Sequence, residues 1–359
     1  MIVEGSAPIP LQGPTAEQPA RRALSDFRRR LRRAALHLVG YLLVAYLVLK
    51  LIPALKQALH SLEHVSWEWL LAAVALEVAS ELGFVLAWRT IVDPQNTLDR
   101  DGHGRRTDHE VAWAQLGGGL VLPGGAWGGI GVGAWILHRF GMPSRLIAER
   151  EFNLSFLNTA IDALALIVLG VGLAASFFAG THGLLLTALP AAVAAAGIAA
   201  VLLIARRARR HSERPQPKHA KAAKTIDTLA NAVGDTQRIL FHGGGWTSVL
   251  GVLAYFGCDV LVLWTAFRAV HVHPSPAFAV VAMAYIIGGL GGSIPLPAAI
   301  GTVGGIAGML ILYGVGHNAA VAAVLLHQAI ALIVPLSGGA VAYAALRHRF
   351  GPLHRRSGS

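Results

Sequence analysis

The chain has 359 residues, of which 54% are hydrophobic and only 14% are charged. That composition is too apolar for a soluble protein with one or two ordinary cores. The net charge of +11 does not indicate nucleic-acid binding, because the basic residues stand in short blocks beside apolar segments, where they signal membrane topology.

Six apolar stretches have the length of transmembrane helices. A helix rises about 1.5 Å per residue, so each stretch can cross about 30 Å of hydrocarbon. The sequence therefore predicts an all-α polytopic membrane protein with about six full transmembrane helices. The stretches are residues 34–55, 67–92, 152–178, 184–205, 246–270 and 321–346.

The distribution of basic residues predicts the topology. The first apolar stretch follows a long polar tail, residues 1–33, so we interpret it as an uncleaved span. Placing every basic block in the cytoplasm leaves only Lys50, Lys56 and Arg268, of 30 Lys and Arg, on the other side. Both termini are then cytoplasmic.

Two further basic segments are predicted to be cytoplasmic. Residues 206–238 form a basic linker that we expect to contact anionic lipid headgroups, and residues 347–359 form the second tail. The single cysteine, Cys258, lies in an apolar stretch, so neither an intrachain disulfide nor a cysteine metal site is expected.

An interrupted segment follows the second predicted span. Residues 111–122 are apolar but reach only about 20 Å as a helix, and the Gly- and Pro-rich residues 123–129 stop it. A second short stretch, residues 130–140, ends in a basic segment. Both ends therefore look cytoplasmic, and we interpret the segment as a re-entrant hairpin of two half-helices.

The same design recurs near the C-terminus. Residues 277–290 precede a Gly- and Pro-containing break, residues 291–301, and a second short stretch, residues 302–313. The distribution of positive charge places both ends of this hairpin outside. Two similar units in opposite orientation, about 67–178 and 246–346, are typical of an inverted-repeat transporter with a site near the midplane. Alternatively, both hairpins are full helix pairs with packing glycines.

Four acidic residues fall inside predicted spans: Glu77, Glu81, Asp162 and Asp259. Each costs roughly 2.5 kcal/mol or more in the bilayer centre, so each should face a partner or a watery cavity. The functional interpretation is a site that binds a cation or carries a proton.

A structural interpretation of these acidic residues stays open. Glu77 or Glu81 is within reach of Arg89 on a nearby helical turn, and neighbouring hydroxyls such as that of Thr265 could satisfy Asp259. Under this interpretation the carboxylates only stabilise the helix bundle.

The two breaks are candidate lipid-binding segments. Half-helix N-termini would point partial positive charge at an anionic group such as a lipid phosphate, and glycines allow backbone to approach it. Close helix packing needs the same small residues, and polar side chains such as that of His327 often only join helices. The candidate lipid-binding residues are Pro123, Gly124, Gly125, Gly128, Pro295, Pro297, Gly301 and Gln328.

Other chemistries are not indicated. His271 and His273 form an HxH pair, but no third ligand stands nearby, so no metal site is expected. No GxxxxGK[ST] loop occurs, so ATP hydrolysis is not expected, and the sequence implies no cofactor.

Motifs in both halves resemble a known family. The second half has a Pro-x-Pro motif leading a broken helix, a Gly-Val at its end, and an apolar span with a Leu-Pro-x-x-Gly exit. The first half is similar at residues 122–125, 139–141 and Asp162. The chain thereby resembles the lysylphosphatidylglycerol synthase transmembrane-region family of flippase-like domains, over residues 34–346. The matching second-half positions are Pro295, Pro297, Gly301, Gly314, Val315, Pro335 and Gly338.

Departures from the family pattern bear on the substrate. Ala298 and Ala299 replace two glycines, and the arginine expected in the last span falls at Gln328. If those groups bind substrate in relatives, this protein handles another lipid or has lost transport. We expect this protein to lack the soluble synthase domain that some relatives carry, and we therefore expect neither aminoacyl transfer nor another enzymatic activity.

Three hypotheses follow. The resemblance implies binding or translocation of a phosphate-bearing lipid, of the polyprenyl-phosphate or phosphatidylglycerol type, across the bacterial cytoplasmic membrane. The acidic residues favour a proton-coupled transporter of small solutes. The third hypothesis is a non-transporting partner subunit of a membrane glycosyltransferase or lipid-synthesis enzyme. The sequence leaves a homo-oligomer or a membrane-enzyme partner open.

Overall fold

The computed structural model describes residues 65–98, 104–122, 126–175, 177, 183–211, 245–290 and 300–350. Across these ranges the chain forms nine helices and no strand, and all of them lie in one compact unit, Gln57–Ser359. The helices are α1 (Trp67–Val92), α2 (Gly104–Val121), α3 (Ala126–Arg139), α4 (Ser144–Ala174), α5 (Leu184–His211), α6 (Gly245–Ala269), α7 (Phe278–Gly289), α8 (Ile300–Leu312) and α9 (His317–Phe350).

Five of these helices are long and apolar enough to cross a membrane: α1, α4, α5, α6 and α9. They confirm five of the six predicted spans and make the chain a polytopic membrane protein. The sixth predicted span, residues 34–55, lies outside the described residues and stays a prediction.

Helices α1 and α6 form an antiparallel pair. At one end the backbone N–H of Ser66 donates to the carbonyl of Ala269 at 3.0 Å. Halfway along, the Ser80 hydroxyl donates to the carbonyl of Tyr255 at 2.7 Å. Toward the other end the Ser248 hydroxyl donates to that of Thr90, also at 2.7 Å. The start of each helix therefore lies beside the end of the other.

Glycines allow these two helices to touch backbone to backbone. A Cβ added to Gly83 would lie 2.7 Å from the carbonyl oxygen of Gly251, and one added to Gly251 would lie 2.7 Å from the backbone N of Ala87. Real Cβ atoms essentially never make contacts this short, so a side chain at either position forces the helices apart.

We therefore expect Gly83→Ala to lower the free energy of unfolding by about 1–3 kcal/mol, the usual cost of overpacking. The matched control is Gly257→Ala on the partner helix α6, where an added Cβ meets no atom of the described residues within 4 Å. Alanine is the better helix former by about 1 kcal/mol, so the control should keep or raise stability. Thermal unfolding in detergent measures both, and an unchanged Tm for Gly83→Ala would contradict the close crossing.

The predicted hairpins correspond to two pairs of shorter helices that pack together, α2 with α3 and α7 with α8. The four helices have 18, 14, 12 and 13 residues. A full span needs about 20 apolar residues, and each of these helices is shorter than that. That the hairpins are re-entrant stays a prediction. Helices α3 and α8 begin inside the predicted breaks, at Ala126 and Ile300. The remaining break segments, residues 123–125 and 291–299, lie outside the described residues.

The two hairpins occupy opposite ends of the α1–α6 pair. The α2–α3 hairpin shares an apolar core with the C-terminal half of α1, the N-terminal part of α6 and the first half of α4. The α7–α8 hairpin shares a second core with the N-terminal half of α1, the C-terminal half of α6 and the first half of α9. The middle of the pair therefore lies between two separate apolar cores.

The helix bounds differ most from the prediction at three places. Helix α2 begins at Gly104 and not at residue 111, and α4 begins at Ser144 and not at residue 152. In α4 the exposed pair Arg145–Glu149, with Nε and Oε1 2.9 Å apart, supports the added turns, because charges spaced i and i+4 lie on one helix face. Helix α5 runs to His211, into the predicted linker, whose remaining residues lie outside the described ranges.

Candidate functional site

Polar side chains collect between the two apolar cores, at the middle of the α1–α6 pair. They include four carboxylates that we call the acidic cluster: Glu77 and Glu81 on α1, Asp162 on α4 and Asp259 on α6. The carboxylates of Glu77, Glu81 and Asp162 all lie within electrostatic range of Asp259. The four predicted acidic residues are therefore brought together by three helices, which the sequence prediction did not specify.

Asp259 is the best-satisfied member of the acidic cluster. One of its oxygens accepts a hydrogen bond from the hydroxyl of Tyr285 on α7. The other lies 2.7 Å from Nε2 of His327 on α9, which is within hydrogen-bond distance. The prediction that the Thr265 hydroxyl satisfies Asp259 is wrong, because this hydroxyl donates to the carbonyls of Leu261 and Val262 on its own helix.

Glu77 and Glu81 lack such partners. Each residue is only 3% exposed, and the Oε2 atom of each is buried without a hydrogen-bond partner among the described residues. The expected pairing with Arg89 is wrong, because the Arg89 guanidinium lies 3.5 Å from the carboxylate of Asp108 instead. The side chain of Arg89 therefore points toward α2 and not toward the acidic cluster.

His327 joins the acidic cluster to two further elements. It is 3% exposed, its Nδ1 atom is buried without a partner, and its ring packs edge-on against that of Tyr285 with centroids 5.9 Å apart. Since Tyr285 lies on α7, the first arm of the second hairpin is tied to the acidic cluster through a hydroxyl and a ring contact.

The predicted lipid-binding residues are only partly visible. Gly128 lies in the first turn of α3, where an added Cβ would come 2.8 Å from the Cβ of Leu122 across the hairpin, so this glycine serves close packing. Gly301 lies half-buried in the first turn of α8, and Gln328 is half-buried on α9 beside His327. The remaining candidates fall outside the described residues and stay predictions: Pro123, Gly124, Gly125, Pro295 and Pro297.

A buried polar chain in the first half was missed by the sequence analysis. The indole N–H of Trp88 donates to Oε1 of Gln115 at 2.9 Å, and Nε2 of Gln115 donates to Glu151 at 2.9 Å. All three side chains are buried, and they join α1, α2 and α4. The sequence contains one indication of this chain, Gln115, because it is a polar residue inside the short apolar stretch 111–122.

We expect Gln115→Leu to destabilise the protein by about 1–3 kcal/mol, because it leaves the Trp88 N–H and the Glu151 carboxylate buried without their partner. Trp88→Phe is the milder comparison, since it removes one hydrogen bond and leaves the Gln115–Glu151 bond in place. Thermal unfolding of the two variants measures the difference, and a Gln115→Leu variant as stable as the wild type would contradict the role of this chain.

Charged residues join the helix ends where α1 and α9 finish. The Arg349 guanidinium binds the carboxylate of Glu110 on α2, and Arg150 on α4 donates to the carbonyl of Val92 at 2.7 Å. These contacts fix the ends of α1, α2, α4 and α9 against each other. They place the first hairpin rather than form a ligand site.

Comparison with known proteins adds one family. The model of the family described as lysylphosphatidylglycerol synthase TM region matches residues 34–339 of the chain. No curated protein matches the chain.

Proposed function

The chain belongs to the lysylphosphatidylglycerol synthase transmembrane-region family, and from that premise we propose that it binds or translocates a phosphate-bearing lipid across the bacterial cytoplasmic membrane. The family is flippase-like, and this supplies the lipid as the class of substrate. The observation that carries the proposal is the repetition of the hairpin unit in the two halves of the molecule.

The helix bounds of the two halves repeat at a nearly constant spacing. Helices α4 and α9 begin 173 positions apart, at Ser144 and His317, and α3 and α8 begin 174 positions apart. Each hairpin ends in a glycine with left-handed backbone, Gly141 at φ 92° and Gly314 at φ 83°, again 173 positions apart. Only glycine adopts this conformation readily, so the same turn recurs at the same point of each half.

The packing repeats as well. Helix α2 packs on α9 while α7 packs on α4, and α1 packs on α4 while α6 packs on α9. When each helix is exchanged with its counterpart in the other half, α1 with α6, α2 with α7 and α4 with α9, the same pairs of helices are in contact. Since the equivalent helices α1 and α6 run antiparallel, a twofold axis that relates them must lie across the helices, in the plane of the membrane. This supports the inverted repeat on which alternating-access transporters are built.

The positions of α3 and α8 support an anionic substrate. Each begins directly after its break segment, so the unpaired N–H groups of its first turn and its positive dipole end lie at the break. A lipid phosphate is the kind of group that such helix ends bind.

Reconstitution with fluorescent lipids tests the proposal. Phosphatidylglycerol and a polyprenyl phosphate, each with a fluorescent label on its headgroup, would be placed separately in vesicles that contain the protein. A quencher added outside the vesicles would report the fraction of labelled lipid that crosses the bilayer. We expect one of them to move with the wild type and to slow at least tenfold with Pro123→Ala or Pro297→Ala. Pro190→Ala is the control, because Pro190 lies inside the peripheral helix α5.

If neither lipid moves, the translocation proposal fails. Co-purification of a membrane glycosyltransferase or lipid-synthesis enzyme would then favour the partner-subunit hypothesis.

A further inference from the structure

If fully ionised, the acidic cluster would carry more negative charge than the described side chains around it can balance. Of the described groups, Asp259, Glu81 and His327 act electrostatically on Glu77, and Asp259 acts on Glu81. The nearby Tyr255, Cys258 and Tyr285 side chains bring no positive charge. With four carboxylates and one imidazole, full ionisation would leave three uncompensated negative charges.

Uncompensated carboxylates are costly at this depth. Each costs roughly 2.5 kcal/mol or more at the centre of a membrane helix, and like charges close together add to that cost. For Asp259 this cost is offset by the contacts of its carboxylate with Tyr285 and His327. For Glu77 and Glu81 it is not offset, because their Oε2 atoms are buried without a donor among the described residues. These two atoms require a ligand that neutralises a carboxylate.

The geometry favours a proton over a metal ion as that ligand. In the ranges that the structure describes, no three His, Cys, Asp or Glu side chains are grouped as metal ligands. A proton needs only one carboxylate oxygen, and a protonated carboxyl becomes a hydrogen-bond donor that can use a neighbouring oxygen.

We propose that Glu77 and Glu81 form a proton-binding site beside the Asp259–His327 pair, at the junction of α1, α6, α7 and α9. Protons on the two glutamates would reduce the three uncompensated charges to one, that of Asp162, because His327 stands against Asp259. The neighbouring Asp259 accepts a hydrogen bond from Tyr285 on the first arm of the second hairpin, so the charge of the two glutamates lies next to a contact that holds that arm. The site goes beyond lipid binding and does not depend on it.

Infrared spectroscopy of the protein in lipid nanodiscs tests the site directly. The carbonyl stretch of a protonated carboxyl is separate from the bands of carboxylates and amides. We expect the wild type to show this band at neutral pH and to lose it reversibly at alkaline pH. Glu77→Gln and Glu81→Gln should each weaken it, and both variants should fold, because glutamine needs no counter-charge.

The control is Glu149→Gln, which removes an exposed carboxylate of α4 and should leave the band unchanged. A wild type without the band would overturn the proposal, as would Glu77→Gln and Glu81→Gln variants with an unchanged band. A band that disappears when sodium replaces choline at fixed pH would assign the site to sodium and also overturn it. None of these outcomes depends on whether a lipid moves in the vesicle assay.

Discussion

Replacing Gly305 by alanine should destabilise the second hairpin and stop lipid movement, while the same change one residue earlier should do neither. A Cβ at Gly305 would overlap the carbonyl oxygen of Gly288, and one at Gly288 would overlap the backbone of Ile306. Backbone cannot move aside as a flexible side chain does, so the arms must separate. Overpacking of this kind costs about 1–3 kcal/mol, occasionally more.

The chain provides neighbouring controls for this prediction. At Gly304 and Gly289 an added Cβ meets no atom within 4 Å. We expect Gly304→Ala and Gly289→Ala to keep or raise the wild-type Tm and to keep the wild-type rate of lipid movement, because both positions are open and alanine is the better helix former. Equal Tm values for Gly305→Ala and Gly304→Ala would show that the arms do not meet where the structure has them.

Breaking the Asp259–His327 pair is expected to have the largest effect on stability. The two side chains are 2.7 Å apart, and His327 is almost fully buried. Removing one partner of a buried pair leaves the other charge uncompensated and typically costs about 3–5 kcal/mol. We therefore expect Asp259→Ala and His327→Ala each to unfold at a much lower temperature than the wild type.

A double-mutant cycle separates the pair from its surroundings. The Asp259→Ala/His327→Ala variant should lose less than the two single losses combined, with a coupling of about 0.5–3 kcal/mol. Glu149→Ala is the control, since it breaks an exposed pair with Arg145 and should cost under about 1 kcal/mol. Strictly additive losses would mean that Asp259 and His327 do not interact in the folded protein.

The long helices were predictable because a membrane span must be apolar over its whole length. Helix α1 has the predicted bounds, and the other described spans overlap their predictions. The start of α4 was not predictable in this way. Its first turns carry Arg150 and Glu151, which read as a polar loop, but both are held by other elements, Val92 and Gln115.

The four members of the acidic cluster could be predicted from the sequence, but their hydrogen-bond partners could not. Carboxylates inside apolar spans stand out in a sequence, because each is costly there. Their partners do not stand out, since Tyr285 and His327 are 26 and 68 positions from Asp259 along the chain. Thr265 and Arg89 were predicted as partners because they are near in sequence. In the folded protein the Thr265 hydroxyl binds carbonyls of its own helix and Arg89 lies beside Asp108.

The opposite orientation of the two halves is the central claim, and cysteine labelling tests it most directly. In a Cys258→Ser background, single cysteines would be placed at exposed ends of the hairpin units: Gln95→Cys and Ser144→Cys for the first, His273→Cys and His317→Cys for the second. A membrane-impermeant maleimide would be added to vesicles of known orientation. The inverted repeat predicts that the first two positions react on one face and the last two on the opposite face. Reaction of all four on the same face would contradict it.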